Sequence, residues 1–235
     1  MTTQARQLPL DLSAPDRVDL DLYVPGPNAE AWQQLQQWLA GEPVDCLYLW
    51  GATGVGKSHL LQATCHELAR QELRTAYLPL TELAAHGPQI LEGLAEFELV
   101  ALDDVHTIAG QPEWEQALFH FYNQARDQAC NLLLSASASP AGLGLALADL
   151  TSRLGWGLVL RLQPLDDAGK QQALVRRAAA RGFELPPETA EYLLRHAVRD
   201  LTQLMQLLDQ LDQAQLAAQR RLSIPFVKSL LGQQK

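Results

Sequence analysis

The stretch CLYLW‑GATGVGKS‑HLLQATCHELARQ, residues 46–71, decides the fold. Its centre, residues 51–58, has the spacing G‑x‑x‑x‑x‑G‑K‑[ST]. The five residues before it are almost wholly apolar, as a strand covered on both faces must be. Those after it carry apolar positions at helical spacing. Strand, glycine loop and helix in that order make a cradle for phosphate. The glycines let backbone N–H groups curl inward, and the helix N‑terminus adds a positive field. In such a loop Lys57 reaches the β‑ and γ‑phosphates and Ser58 ligates Mg²⁺. A plain glycine turn at a strand–helix junction is the bland alternative, and the flanking pattern argues against it.

A nucleotide site of this kind needs an apolar strand ending in an acid, and LVALDDVH (99–106) supplies one. Asp103 suits the Mg²⁺ shell, and Asp104 can orient or activate an attacking water. Around this pair, CLYLW (46–50), TAYLPL (75–80), ELVALDD (98–104), NLLLSAS (131–137) and GLVLRL (157–162) read as strands. Helical patterns at 59–71 and 113–127 fall between them. Such alternation predicts an α/β base with a five‑stranded parallel sheet. After residue 163 the runs DDAGKQQALVRRAAARG, PPETAEYLLRHAV, RDLTQLMQLLDQLDQAQLAAQRR and IPFVKSLL predict a small all‑helical unit. The expected division is an N‑terminal segment over 1–22, the base over 23–162 and a helical lid over 163–235.

Composition narrows the function. With 235 residues, 47% hydrophobic and 19% charged, the chain can bury a proper core, which excludes a disordered or fibrous class. No apolar run approaches the roughly 20 residues that span a bilayer. The N‑terminus lacks the order of a signal peptide, so no membrane association and a cytoplasmic location are expected. Cys46, Cys65 and Cys130 lack C‑x‑x‑C spacing, which suits a reducing compartment and argues against disulfides or a zinc site. A net charge of −9 argues against strong direct DNA binding. The densest basic stretch, Arg176, Arg177 and Arg181, reads as a solvated helix face. The six histidines form no metal‑binding spacing and read as structural or surface residues, His106 included.

Near the N‑terminus lies QLPLDL, residues 7–12. Leu8, Leu10 and Leu12 alternate at period two behind a polar Gln7, while Pro9 removes a ladder donor. An extended peptide of this type can offer its leucines to a partner's apolar pocket. The alternative is an ordinary edge strand of the base.

The order GATGVGKSHLLQA, LVALDDVH, LTSRLGWGLVLRLQPLD and VRDLTQL resembles the nucleotide‑binding module of AAA+ proteins. More narrowly, it resembles the DnaA replication initiator family, over nearly the whole chain from about Tyr23. LTSRLGWGL is similar to that family's arginine‑finger box, and RRLSIPFVKSLL to the C‑terminus of its short members. The initiator carries a C‑terminal DNA‑reading domain and an N‑terminal oligomerisation domain. Here the sequence stops after IPFVKSLLGQQK and only a short segment precedes the base, so the resemblance is to short DnaA‑homologous regulators that inactivate the initiator.

That resemblance implies an AAA+ P‑loop NTPase base with a helical lid, binding ADP or ATP with Mg²⁺. It implies that Gly51, Ala52, Thr53, Gly54, Val55, Gly56, Lys57, Ser58 and His59 meet the phosphates, with Tyr23, Val24 and Asn28 near the adenine. Ser58 and Asp103 would hold the metal, Asp104 the water, and Arg199 in the lid would sense the phosphates. Arg153 would be the finger, completing the ATP site of a neighbouring initiator molecule. Gln7, Leu8, Leu10 and Leu12 would bind the DNA polymerase III β sliding clamp. The first sensor position, polar and often acidic in relatives, falls at Ser137, which implies weak hydrolysis by the chain itself. The expected partners are the clamp and the DnaA initiator, with a homodimer or higher oligomer also compatible. The competing reading is a stand‑alone small AAA+ ATPase acting as a loader or remodeller.

Overall fold

A computed structural model describes residues 18–42, 44–196, 200–218 and 222–232. Five strands form one sheet: β1 (Cys46–Trp50), β2 (Thr75–Pro79), β3 (Leu99–Asp103), β4 (Asn131–Ala136) and β5 (Leu158–Arg161). Their order is β2‑β3‑β4‑β1‑β5, with every pairing parallel. The helices are α1 (Ala29–Leu39), α2 (Lys57–Arg70), α3 (Leu80–Leu83), α4 (Pro112–Asp127) and α5 (Ala148–Leu154), then α6 (Asp167–Ala180), α7 (Pro187–His196), α8 (Leu201–Ala218) and α9 (Ile224–Gly232). The expected α/β base with a five‑stranded parallel sheet, followed by a helical lid, is what the chain forms. No helix among the described residues is long and apolar enough to cross a membrane.

The period of two along each strand divides the core. Leu47, Leu49, Leu99, Ala101 and Leu133 face one way and pack with Leu35 and Trp38 of α1 and Leu60 and Leu61 of α2. Cys46, Tyr48, Val100, Leu102, Leu132 and Leu134 face the other way, against Trp114, Leu118 and Phe121 of α4 and Leu150 and Leu154 of α5. A sheet covered on both faces has no polar side, which is why its strands read as unbroken apolar runs. Each fully buried leucine contributes about 1.5–3 kcal/mol. The lid has its own core, built on Leu174, Leu193, Leu204, Leu208, Leu211 and Val227.

Three helices of the base were not anticipated: α1, the single-turn α3 and α5. Helix α1 is glutamine‑rich and buries only Leu35 and Trp38. Helix α5 is seven residues long, and its first turn is stabilised from elsewhere in the chain. Glu115 of α4, only 1% exposed, accepts the N–H groups of Gly110 at 2.7 Å, Ala146 at 3.2 Å and Leu147 at 2.7 Å. Leu147 is the N‑cap residue of α5, so a buried carboxylate does the work of a local capping side chain. Arg153 stands in the last turn of α5, ahead of β5.

The arginine cluster is not a solvated face, contrary to expectation. Arg176 Nη1 donates to the carbonyls of Asp21 at 3.2 Å and Tyr23 at 2.9 Å. Arg181 pairs with Asp209 of α8 at 2.5 Å. The segment held by Arg176 is also held by the base. His66 Nδ1 donates to Val18 O at 3.0 Å and His59 Nε2 to Asp19 O at 3.2 Å. One short strap is thus stitched to α2 on one side and α6 on the other.

Candidate functional site

A cavity of about 500 Å³ opens between base and lid. Its walls come from the strap (Val18, Leu22, Tyr23, Val24), the glycine loop and the start of α2 (Thr53, Gly54, Val55, Gly56, Lys57, Ser58, His59), and the strand ends (Asp104, His106, Ser137). The lid adds Leu165, Ala173, Arg177, Leu201, Thr202 and Met205. That volume falls in the range of small‑molecule sites.

The loop's shape follows from its glycines. Gly56 is the N‑cap of α2 at φ +95°, in the left‑handed region, and a Cβ there would stand 3.2 Å from the Tyr23 ring. Both the turn and the close ring therefore demand glycine. Lys57 is 7% exposed, and its ammonium donates to the carbonyls of Gly51 at 2.9 Å and Ala52 at 3.0 Å. Burial pushes its pKa down, opposed by the charges of Asp104 and Asp103. A buried lysine beside a helix N‑terminus suits a polyphosphate, whose charge compensates both.

The acids lie at the end of β3. Asp103 is 3% exposed, and both its oxygens have donors: the Tyr77 hydroxyl reaches Oδ2 at 2.7 Å, and the Ser135 hydroxyl reaches Oδ1. Ser135 also accepts the N–H of Asp104 at 2.9 Å. Asp104 has φ +60° and ψ +48°, a conformation that non‑glycine residues rarely adopt. The turn lifts its carboxyl into the cavity. Burial, then the neighbouring Asp103, raise its pKa, while His106 and Lys57 pull it down. His106 Nδ1 lies 3.8 Å from Asp104 Oδ1.

Tyr23, Val24, the loop from Thr53 through His59, Asp104 and Ser137 line one cavity. Gly51 and Ala52 sit behind the loop as acceptors for Lys57. Asn28 departs from expectation. It does not line the cavity but is 3% exposed, with Nδ2 donating to Gln163 O at 2.9 Å and Oδ1 accepting Gln163 N–H at 2.7 Å. Its amide fixes the Gln163 backbone from behind the Tyr23 wall. Arg153 is also absent from this cavity's lining. Arg199 and the peptide of residues 7–12 lie outside the described residues.

The sequence reading missed Ser135, Tyr77, His106 and Arg177. Ser135 is fully buried on β4, beside the acid pair, whereas the polar role was assigned to Ser137. His106 and Arg177, read as structural and as solvated, both face the cavity. His59 is held neutral, its pKa lowered to about 4 by burial and then by Arg177. Burial raises the Tyr23 phenol to about 12.

The site fits Mg²⁺ held through a nucleotide but not by protein ligands alone. No group of three or more His, Cys, Asp or Glu suited to a metal occurs among the described residues. Mg²⁺ keeps several waters and takes one or two protein oxygens plus phosphate. Ser58 lines the cavity and can supply one. Asp103, the other expected ligand, does not line it and has both oxygens engaged by Tyr77 and Ser135, so it would act from behind a water.

Residues 16–161 match the family model described as the bacterial DnaA ATPase domain, and residues 167–231 the one described as the Hda lid domain. Domain III of the replication initiation protein DnaA from Thermotoga maritima superimposes with a TM‑score of 0.78 at 22% identity, covering 93% of this chain and 97% of that one. AMPPCP‑bound DnaA from Aquifex aeolicus gives 0.70 at 22% identity, over 86% of this chain and 67% of that one. The RuvB Holliday junction branch migration motor of Thermotoga maritima gives 0.63 at 19% identity, over 91% and 71%. At these identities the structural likeness is one of fold.

Proposed function

Because the chain belongs to the bacterial DnaA ATPase domain family, with a lid of the Hda type, we propose that it is a nucleotide‑bound regulator that inactivates the DnaA initiator. ADP or ATP lies in the cavity, its phosphates on the N–H groups of residues 53–58 and on Lys57. The base meets Leu22, Tyr23, Val24, Leu165 and Met205. Mg²⁺, when bound, neutralises phosphate charge, held by Ser58 with Asp103 behind it. Arg199 completes the phosphate contacts from the lid.

In this reading residues 7–12, through Gln7, Leu8, Leu10 and Leu12, attach the chain to the β sliding clamp, which raises its effective concentration at replicating DNA in the cytoplasm. Arg153 enters the ATP site of a neighbouring initiator. There water attacks the γ‑phosphorus and the bond from that phosphorus to the bridging oxygen breaks. ADP and inorganic phosphate form, and the proton lost by the water passes to solvent. Charge builds on the phosphate oxygens in the transition state. An arginine supplied in trans stabilises it, accelerating the step by roughly 10³–10⁵. The chain's own acids and Ser58 need not turn over for this to work.

The observation that carries the reading is Arg153 itself. Its guanidinium is partly exposed, lies outside the chain's own cavity, and rests on aromatic rings rather than on a carboxylate. The test is ATP hydrolysis by the initiator in the presence of DNA‑loaded clamp, with wild type against Arg153→Ala. Stimulation falling by two or more orders of magnitude supports the reading, and equal rates overturn it. Pull‑down by clamp of wild type against Gln7→Ala with Leu10→Ala checks the tether separately.

A second reading, a self‑sufficient loader or remodeller, draws on Lys57, Asp104 and His106 meeting in one cavity. It requires a homo‑oligomer with appreciable ATP turnover by the purified chain. A monomer retaining ADP with negligible turnover excludes it.

A further inference from the structure

Arg153 is held by aromatic faces, as is Arg161, whose guanidinium carbon lies 5.1 Å from the centre of the Trp50 ring. The Arg153 guanidinium carbon lies 4.1 Å from the centre of the Trp156 ring and 5.9 Å from that of Phe119. Other arginines are engaged through their N–H edges: Arg74 by Glu98 and the Glu96 carbonyl, Arg176 by two carbonyls, Arg181 by Asp209, Arg195 by Glu191. No hydrogen bond or ion pair of the Arg153 guanidinium occurs among the described residues. A carboxylate is within easy reach by sequence, because Asp149 stands four residues earlier on α5, the favourable helical spacing for an ion pair. That pair is not made. The face of the guanidinium is covered and its five donors remain unspent.

Trp156 is equally out of place as a folding element. It is 62% exposed, and the only other exposed large hydrophobic among the described residues is Leu73, at 37%. Its backbone is fixed on both sides. The Trp156 N–H donates to the Arg153 carbonyl at 3.1 Å, closing the end of α5. At Gly157 a Cβ would run into the Cys46 carbonyl of β1, so the chain enters β5 along a single path. The indole thus stays beside Arg153 without the help of a core.

We propose that Trp156 is a positioning residue for Arg153: the indole carries the guanidinium on its face, draws it away from Asp149 and leaves its N–H edge free for a phosphate of a neighbouring molecule. The proposal rests on the reading of Arg153 as a finger and assigns Trp156 no bond‑making role. Stacking suits this task because an indole is the best π partner for a cation yet competes for none of its donors.

The test uses the full chain with initiator, ATP and DNA‑loaded clamp, each variant titrated to saturation. Trp156→Ala lowers the maximal rate of initiator hydrolysis roughly tenfold, as expected when a stacking contact is lost, with little change in the half‑saturating concentration. Trp156→Phe, which keeps a π face, restores most of that loss. In nuclear magnetic resonance spectra of the chain alone, the Arg153 side‑chain protons show an upfield ring‑current shift, kept in Trp156→Phe and lost in Trp156→Ala. An unchanged maximal rate in Trp156→Ala, a change confined to the half‑saturating concentration, or an unshifted Arg153 resonance in wild type overturns the proposal. If Arg153→Ala abolishes stimulation while Trp156→Ala does not lower the maximal rate, the finger stands and the positioning role alone falls. If Arg153→Ala stimulates like wild type, both fall.

Discussion

Tyr77 donates its phenolic proton to Asp103 Oδ2 at 2.7 Å, from the neighbouring strand of the sheet. Ser135 occupies the other carboxylate oxygen from the opposite side, so a buried charge is solvated entirely by its two neighbours. The contributions are unequal. Ser135→Ala removes a donor from Asp103 and the acceptor of the Asp104 N–H together. It is expected to cost about 2–3 kcal/mol, and Tyr77→Phe about 1 kcal/mol. Urea denaturation of the two variants measures both, and equal midpoints would show that Ser135 does not bridge the acids.

The pH dependence of stability should report His59. Its pKa is lowered to about 4 in the folded chain, while the unfolded value is about 6.5. Between these two the unfolded chain takes up a proton that the folded chain refuses, so stability is present above pH 6.5 and is lost as pH falls toward 4. In His59→Gln the amide can still donate to the Asp19 carbonyl but cannot be protonated. Thermal melts from pH 7 to 4.5 should therefore fall less steeply for this variant than for wild type.

Asp104 has the opposite sign. Burial and Asp103 raise its pKa, so ionising it costs more in the folded chain than in the unfolded one. The stabilisation belongs to the protonated form and fades as pH rises above the ordinary aspartate value of about 3.9. Asp104→Asn should melt higher than wild type at pH 7, and the difference should shrink toward pH 4. Asparagine tolerates the left‑handed backbone as aspartate does, so the comparison isolates the charge.

Glu115 links stability to the start of α5. Glu115→Ala leaves three N–H groups without their acceptor and should cost about 3 kcal/mol or more. Amide hydrogen exchange should rise first at residues 146–150, before the sheet is affected. Protection unchanged there would mean that α5 holds its start without Glu115.

Legibility in the sequence followed the range of the forces involved. The strands and α2 were readable because burial on two faces leaves a local record, an unbroken apolar run before a glycine loop. Helix α5 was not, because its cap is Glu115, supplied from α4. Ser135 escaped for a related reason. Leu102 pairs with Leu134, so the next residues, Asp103 and Ser135, become neighbours only once β3 lies beside β4. Strand order is invisible in a single sequence, whereas Ser137, taken from the resemblance, does line the cavity. The arginines of α6 looked solvated because the carbonyls that bind Arg176 belong to residues at the far end of the chain. The bonds between Asn28 and Gln163 were hidden in the same manner, the two residues being far apart in the chain.

The strap over residues 18–24 also sets a tempo. Its carbonyls are bonded to His59 and His66 of the base and to Arg176 of the lid, and its side chains form one wall of the cavity. Swinging the lid clear breaks the Arg176 bonds as well as the packing between lid and base. In the proposed reading, a nucleotide leaving past the lid requires these bonds and that packing to break together. The dwell time of whatever occupies the cavity becomes a property of the strap, and loosening Arg176 would shorten it without touching a single phosphate contact.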